Sequence, residues 1–264
     1  MHDLTFFTIL LTLLAGFAAG FINTLAGSGS SISLALLMFL GLPANVANGT
    51  NRLMILLSSL VGILSFKKLG AVNDAHSFKI TIPAILGAIL GAMLAVTIEG
   101  ELMTRIIGAL MVVLLLMVIY KPEKWVKQPD PDHVAKFKGW QYIALFLVGF
   151  YGGFIQAGVG IFLLASLVLT AGFDVIKANV LKVFIVLIYT LFIIPIFIWK
   201  GQVDFTLGMI LAVGSMFGAY VATKVAISWG PKFVRWLLIV VISWAAIEFL
   251  GIAGWVMVQV QSIK

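Results

Sequence analysis

The stretch GFAAGFINTLAGSGS, residues 16–30, returns 133 positions later as GFYGGFIQAGVG, residues 149–160. GFAAGFIN (16–23) falls on GFYGGFIQ (149–156), and after a slip of two residues GSG (27–29) falls on GVG (158–160). LGLPANVAN (40–48) then falls on AGFDVIKAN (171–179), setting Gly41 on Gly172, Ala47 on Ala178 and Asn48 on Asn179. At the same offset Asn51 meets Lys182, Phe66 meets Phe197, Gly70 meets Gly201 and Val72 meets Val203. Two glycine-rich membrane helices can look alike by composition alone, since glycine is common in such segments. An ordered series across four segments and their turns is not produced that way. It reads as a duplicated chain.

Composition fixes the solvent of that chain. Of 264 residues, 62% are apolar types and 10% are charged, with a mean hydropathy of +1.17. A soluble domain is about a quarter charged. The 17 basic and 10 acidic side chains cannot coat a globule of this size, so much of its surface faces something other than water. A soluble enzyme and a disordered protein are excluded on that ground. The absence of cysteine excludes a disulfide scaffold, thiolate metal sites and cysteine nucleophiles. The net charge of +7 is no nucleic-acid signal, because the charges sit in short segments between long apolar runs. The opening MHDLTFFTILLTLLAG lacks a basic n-region, so its apolar run is expected to stay as a membrane helix.

Long apolar runs mark ten helical segments: 4–22, 31–41, 47–66, 78–98 and 102–120, then 140–156, 160–171, 176–198, 204–223 and 234–250. Six have the length, about 20 residues, that a 30 Å hydrocarbon core demands, and two more come close. Segments 31–41 and 160–171 cover only about 17 Å at 1.5 Å per residue, so each is expected to be broken or re-entrant. The expected fold is therefore an all-α polytopic membrane protein of two repeats, each of about five segments. Residues 1–120 form the first transmembrane repeat and 139–264 the second. Between them, KPEKWVKQPDPDHVAKFK (121–138) holds three of the seven prolines and five of the 17 basic residues, and reads as a solvated linker.

An odd number of segments per half gives the halves opposite topology. Lys67, Lys68, the linker, Lys177 and the Lys224–Lys232–Arg235 group then share one face. Glu99, Glu101, Arg105, Lys200 and Lys264 take the other. The lysine-rich face is cytoplasmic by the positive-inside rule, which places both termini outside. Hairpins formed by the first two segments of each half leave that parity unchanged.

Polar atoms at membrane depth are expensive unless paired or wet, so they mark function. Three clusters stand out. In INTLAGSGSSIS (22–33), Asn23, Ser28, Ser30 and Ser31 surround a break where Gly27 and Gly29 permit a tight turn. A half-helix starting near Ser30 points its positive end inward, as an anion requires. The repeat mate, Gln156 to Gly160 with turn residues Gly158 and Gly160, has no hydroxyls. Close packing through small residues is the structural alternative. The second cluster, NVANGTNR (45–52), holds Asn48, Asn51 and Arg52, and the guanidinium fork suits an oxyanion. An interfacial anchor or a structural pair is the alternative for Arg52. The third, KANVLK (177–182), sets Asn179 on Asn48 and Lys182 on Asn51. No acidic residue is evident at comparable depth, so the cavity is expected to be electropositive and to select anions. The glycines are no nucleotide loop, since no lysine follows them. Glu248 reads as interfacial, His2, His76 and His133 fall in terminal or loop positions, and the tryptophans lie near segment ends.

These same residues carry a resemblance. GFAAGFINTLAGSGS, LxxLGLPxxxANGTNR, GFYGGFIQAGVGIF and ANVLKVF together resemble the TauE/SafE family, also called the sulfite exporter family, over essentially the whole chain. Ile161 stands where a fuller G-x-G-G form would carry glycine. The resemblance implies a multi-pass protein of the bacterial inner membrane that moves sulfite, sulfoacetate or related organosulfonates, usually outward. The expectation is a secondary transporter with no cofactor, whose anion sits between the repeats and touches Asn23, Ser28, Ser30, Ser31, Asn48, Asn51, Arg52, Gln156, Asn179 and Lys182. Gly27, Gly29, Gly158 and Gly160 would shape the turns. Its partners are the small sulfur anion and membrane lipid, with proton coupling and oligomerisation left open and nucleic acid excluded. An anion channel, or uptake in place of export, is the alternative.

Overall fold

The computed structural model describes residues 5–68, 77–107, 109 and 139–249; for 77–79, 169–170 and 230–249 it describes the backbone. The linker 121–138, most of segment 102–120, His2, His76, His133, Trp125, Trp255 and the termini lie outside the described residues, as do the side chains of Trp236 and Glu248.

The described chain is helical. The first half gives α1 (Phe6–Leu25), α2 (Ser30–Phe39), α3 (Ala44–Lys68) and α4 (Ser77–Ala95). A further helix, α5, is described over 100–107. The second half gives α6 (Gly139–Phe154) and α7 (Val159–Ala165), which winds on as a π-helical turn over Ser166–Thr170. It ends with α8 (Val175–Trp199) and α9 (Phe205–Phe249). Asp174 caps α8 by accepting the N–H groups of Ile176 and Lys177, and Thr5 caps α1 through Thr8. The two short segments expected to be broken are indeed α2 and the α7–π element.

Among the described residues four helices, α1, α3, α8 and Phe205–Trp229 of α9, are long and apolar enough to cross a membrane. Of the six segments expected to reach that length, 102–120 lies mostly outside the described residues. One expectation is corrected: the segments 204–223 and 234–250 do not separate. The backbone stays helical from Phe205 to Phe249, a run of 45 residues or about 68 Å. Pro231, after Gly230, is the one proline of that run, and removing one N–H can kink a helix without ending it.

Glycine sets how the helices meet. A Cβ at Gly16 or Gly20 of α1 would strike the backbone of Leu211 or Ser215 in α9. A Cβ at Gly214 or Gly218 of α9 would strike that of Leu13 or Phe17 in α1. The pair α6 and α4 repeats this, with Gly149 and Gly153 on Ala84 and Ala88, and Gly87 and Gly91 on Phe146 and Phe150. Leu13, Gly16, Phe17 and Gly20 lie 133 positions before Phe146, Gly149, Phe150 and Gly153, so the two contacts match residue for residue. The first helix of each half is thus packed, backbone to backbone, on the fourth helix of the other.

Helix directions follow from such contacts. α1 runs parallel to α9, and α6 parallel to α4. Thr50 and Met54 of α3 meet Gly208 and Ser215 in turn, so α3 runs with α9. α8 runs against α3, with Gly49 at Gln202 and Gly62 at Val183. Gln202 also donates to the Val96 carbonyl just past α4, which brings the end of α4 to the start of α3. Lys67, Lys68, Lys177 and Lys224 therefore gather at one end of the bundle, and Glu99, Glu101 and Lys200 at the other. Between the ends, large apolar side chains such as Leu14, Leu60, Leu86, Leu147 and Phe217 face outward. Polar side chains are turned in, the reverse of a protein in water.

Candidate functional site

The breaks α1–α2 and α6–α7 cross each other. Gly160 donates its N–H to the Gly27 carbonyl at 3.1 Å, and a Cβ on either glycine would strike the other's backbone. Gly27 and Gly158 both have positive φ, 81° and 70°, conformations that a side chain would strain. Gly29 lies so close to α1 that a Cβ would strike the Ala19 carbonyl. A side chain is thus barred by contact at Gly27, Gly29 and Gly160 and strained by backbone conformation at Gly27 and Gly158. Tyr151 fixes the second break by donating to the Ala157 carbonyl at 2.6 Å.

A helix that ends inside a membrane leaves carbonyls that water cannot reach. In α6 the Tyr151 carbonyl takes the Ile155 N–H, and the last three, at Gly152, Gly153 and Phe154, remain. Arg52 takes all three, at 2.6, 3.0 and 3.5 Å, and adds the side-chain oxygens of Gln156 at 2.7 Å and Asn48 at 3.1 Å. Asn48 completes the cap by donating to the Phe154 carbonyl at 2.8 Å. In α1 the Asn23 and Thr24 carbonyls are taken by the Lys182 ammonium at 3.0 and 2.9 Å. Each half therefore sends one cation, about 10–12 Å into its own helix, to neutralise the negative end of the other half's first helix. Both cations are buried, and no aspartate or glutamate is buried with them among the described residues.

The sequence-expected residues divide into two groups. Asn48, Arg52 and Lys182 are committed to helix ends. In the structure they touch protein oxygens, and of the Arg52 nitrogens only Nε has no partner. Asn23 contributes its carbonyl, and Ser31 is only half-buried. The second group is buried and has unsatisfied atoms: the Ser28 and Ser30 hydroxyls, the Asn51 and Gln156 amide nitrogens, and both polar atoms of Asn179. Ser33 lies 2.6 Å from the Asn51 side-chain oxygen and 3.0 Å from the Ser30 carbonyl, tying α2 to α3. The positions aligned in sequence are chemically unequal here. Asn48 is fully paired while Asn179, 131 positions on, is free, and Val159 and Ile161 stand 131 positions after Ser28 and Ser30.

Sequence reading missed Tyr151 and Tyr189. Tyr189, wholly buried in α8, donates to the Gln156 oxygen at 3.0 Å. The available signal was a hydroxyl in mid-helix: a tyrosine placed so deep needs a partner.

Apolar faces turned outward and buried polar groups gathered where paired helices break are the build of a multi-pass membrane transporter. Residues 12–249 match the family described as "Sulfite exporter TauE/SafE". The chain belongs to that family, and it is a membrane transporter rather than an enzyme. It is 30% identical over 253 residues, 95% of each chain, to the "Probable membrane transporter protein ORF9" of Sinorhizobium sp. It is 26% identical over 242 residues to a "Probable membrane transporter protein" of Haemophilus influenzae, covering 91% of this chain and 93% of the relative. It is 28% identical over 226 residues to the "Probable membrane transporter protein YfcA" of Escherichia coli K12, covering 84% and 82%. No solved structure matches the chain.

Proposed function

We propose that this transporter carries small sulfur-containing anions, sulfite or organosulfonates such as sulfoacetate, outward across the bacterial inner membrane by alternating access. The observation that carries the anion reading is the unbalanced charge. Arg52 and Lys182 are buried without a buried carboxylate among the described residues, and helix ends offset only about half a charge each. Unpaired donors on Ser28, Ser30, Asn51, Gln156, Asn179 and Arg52 Nε supply the contacts. Export follows from the field, since an anion leaving a negative interior moves downhill in potential.

The inverted duplication, with a first repeat at 1–120, the linker at 121–138 and a second repeat at 139–264, is supported by helix direction. The mates α1 and α6 run opposite ways, as do α3 and α8. The gathering of Lys67, Lys68, Lys177 and Lys224 supports a cytoplasmic face at that end and an N-terminus outside. Because α1 is locked on α9 and α6 on α4 by glycine contacts, the bodies that rock are these exchanged pairs, not the sequence repeats.

Thermal stabilisation of the purified protein by sulfite, sulfoacetate, taurine and sulfate tests the anion reading, because a ligand of the folded state raises the melting temperature. The reading expects a saturable shift with at least one sulfur oxyanion and none with matched cations. Equal shifts from cations and anions would contradict it.

A further inference from the structure

Gln156 is held by two groups at one end only. Its side-chain oxygen lies 2.7 Å from Arg52 NH1 and 3.0 Å from the Tyr189 hydroxyl. A guanidinium can only donate, so the carboxamide is chemically bound to present oxygen on that side. Its NH2 is therefore fixed on the other side, wholly buried and without a partner. A glutamine that merely braced Arg52 would leave two donors stranded in a medium that penalises them.

We propose that Tyr189 and Arg52 act as positioning residues that make Gln156 an obligate hydrogen-bond donor, and that Gln156 thereby restricts the site to ligands presenting bare acceptor oxygens. This rests on the anion reading above and adds its rule of selection. Asn51 follows the same pattern, its oxygen at the Ser33 hydroxyl and its NH2 unpaired. Sulfonates and fully ionised oxyanions offer only acceptors toward such a site. Ammonium and guanidinium groups offer only donors, and neither the Gln156 nor the Asn51 NH2 can accept from them.

The test is Gln156→Glu in proteoliposomes, with flux of sulfite and sulfoacetate measured beside the wild type. The change keeps shape and keeps an oxygen for Arg52 and Tyr189, while turning the NH2 into an acceptor. The expected result is a monodisperse protein of unchanged or raised melting temperature whose kcat/KM falls about a hundred-fold, the loss of a charge-assisted donor. Gln156→Glu with wild-type flux overturns the proposal, because a bracing role predicts that outcome. Tyr189→Phe removes one of the two tethers, so KM is expected to rise roughly three- to ten-fold with kcat unchanged. A fall in kcat at constant KM would overturn the positioning role. If the wild type shows no saturable anion flux, the proposed function fails; if it does and Gln156→Glu matches it, this inference fails alone.

Discussion

Replacing Arg52 with methionine should weaken the fold more than any other single change in a buried cation. Methionine keeps most of the volume and removes the charge. Four donor contacts of 3.1 Å or less are lost, to the Gly152 and Gly153 carbonyls and to the Gln156 and Asn48 oxygens. Each is a bond from a charged donor, about 1.5–3 kcal/mol. Relief of the cost of burying the cation offsets part of the sum, and breaking a buried charged arrangement typically costs about 3–5 kcal/mol. At roughly 2–4 °C per kcal/mol for a chain of this size, the melting temperature should fall by roughly 6–20 °C. Lys182→Met strands two carbonyls, at Asn23 and Thr24, and should show about half that fall. Thermal unfolding in detergent, followed by intrinsic tryptophan fluorescence, reads both. A fall below about 3 °C for Arg52→Met, or a larger one for Lys182→Met, would refute the cross-capping account.

Further outcomes follow from the same geometry. Gly20→Ala and Gly153→Ala each push a Cβ into a facing backbone, so both should destabilise by about 1–3 kcal/mol, whereas Gly139→Ala, with open space around it, should be neutral in the same assay. Ser28→Ala and Ser30→Ala remove buried hydroxyls that have no partner, so stability should hold or rise while anion flux falls; a loss of stability with flux intact would contradict their role at the site. Single cysteines placed in this cysteine-free chain within 121–138 and near Asp3 should label from opposite faces of the membrane. A third cysteine after residue 250 decides the C-terminus. It labels outside if residues 230–249 turn back across the bilayer, and inside if they continue α9 beyond it.

Much of the fold was legible because its cause is local. The breaks near Gly27 and Gly158 announce themselves through glycine flanked by small residues, and the short segments beside them cannot span a bilayer. Arg52 and Lys182 stood out because a membrane segment rarely places a cation so far from its ends. Their partners were not legible, since backbone carbonyls carry no sequence identity and lie on helices 100 or more positions away. Tyr189 was hidden for the reverse reason: its ring fits the apolar pattern of α8, and only its neighbour Gln156 shows what its hydroxyl does. The merging of the last two segments was not legible, because the apolar run is interrupted around Lys224 to Lys232 while the backbone stays helical.

Initial-rate flux of sulfite, sulfoacetate, taurine, sulfate and a cationic control into proteoliposomes tests the central claim most directly. The account predicts saturable, anion-selective uptake into the vesicles, sensitive to membrane potential and lowered at least ten-fold by Asn51→Ala or Asn179→Ala, each of which removes an unpaired amide nitrogen. Flux that stays linear with concentration, passes the cationic control equally, or ignores both substitutions would contradict it.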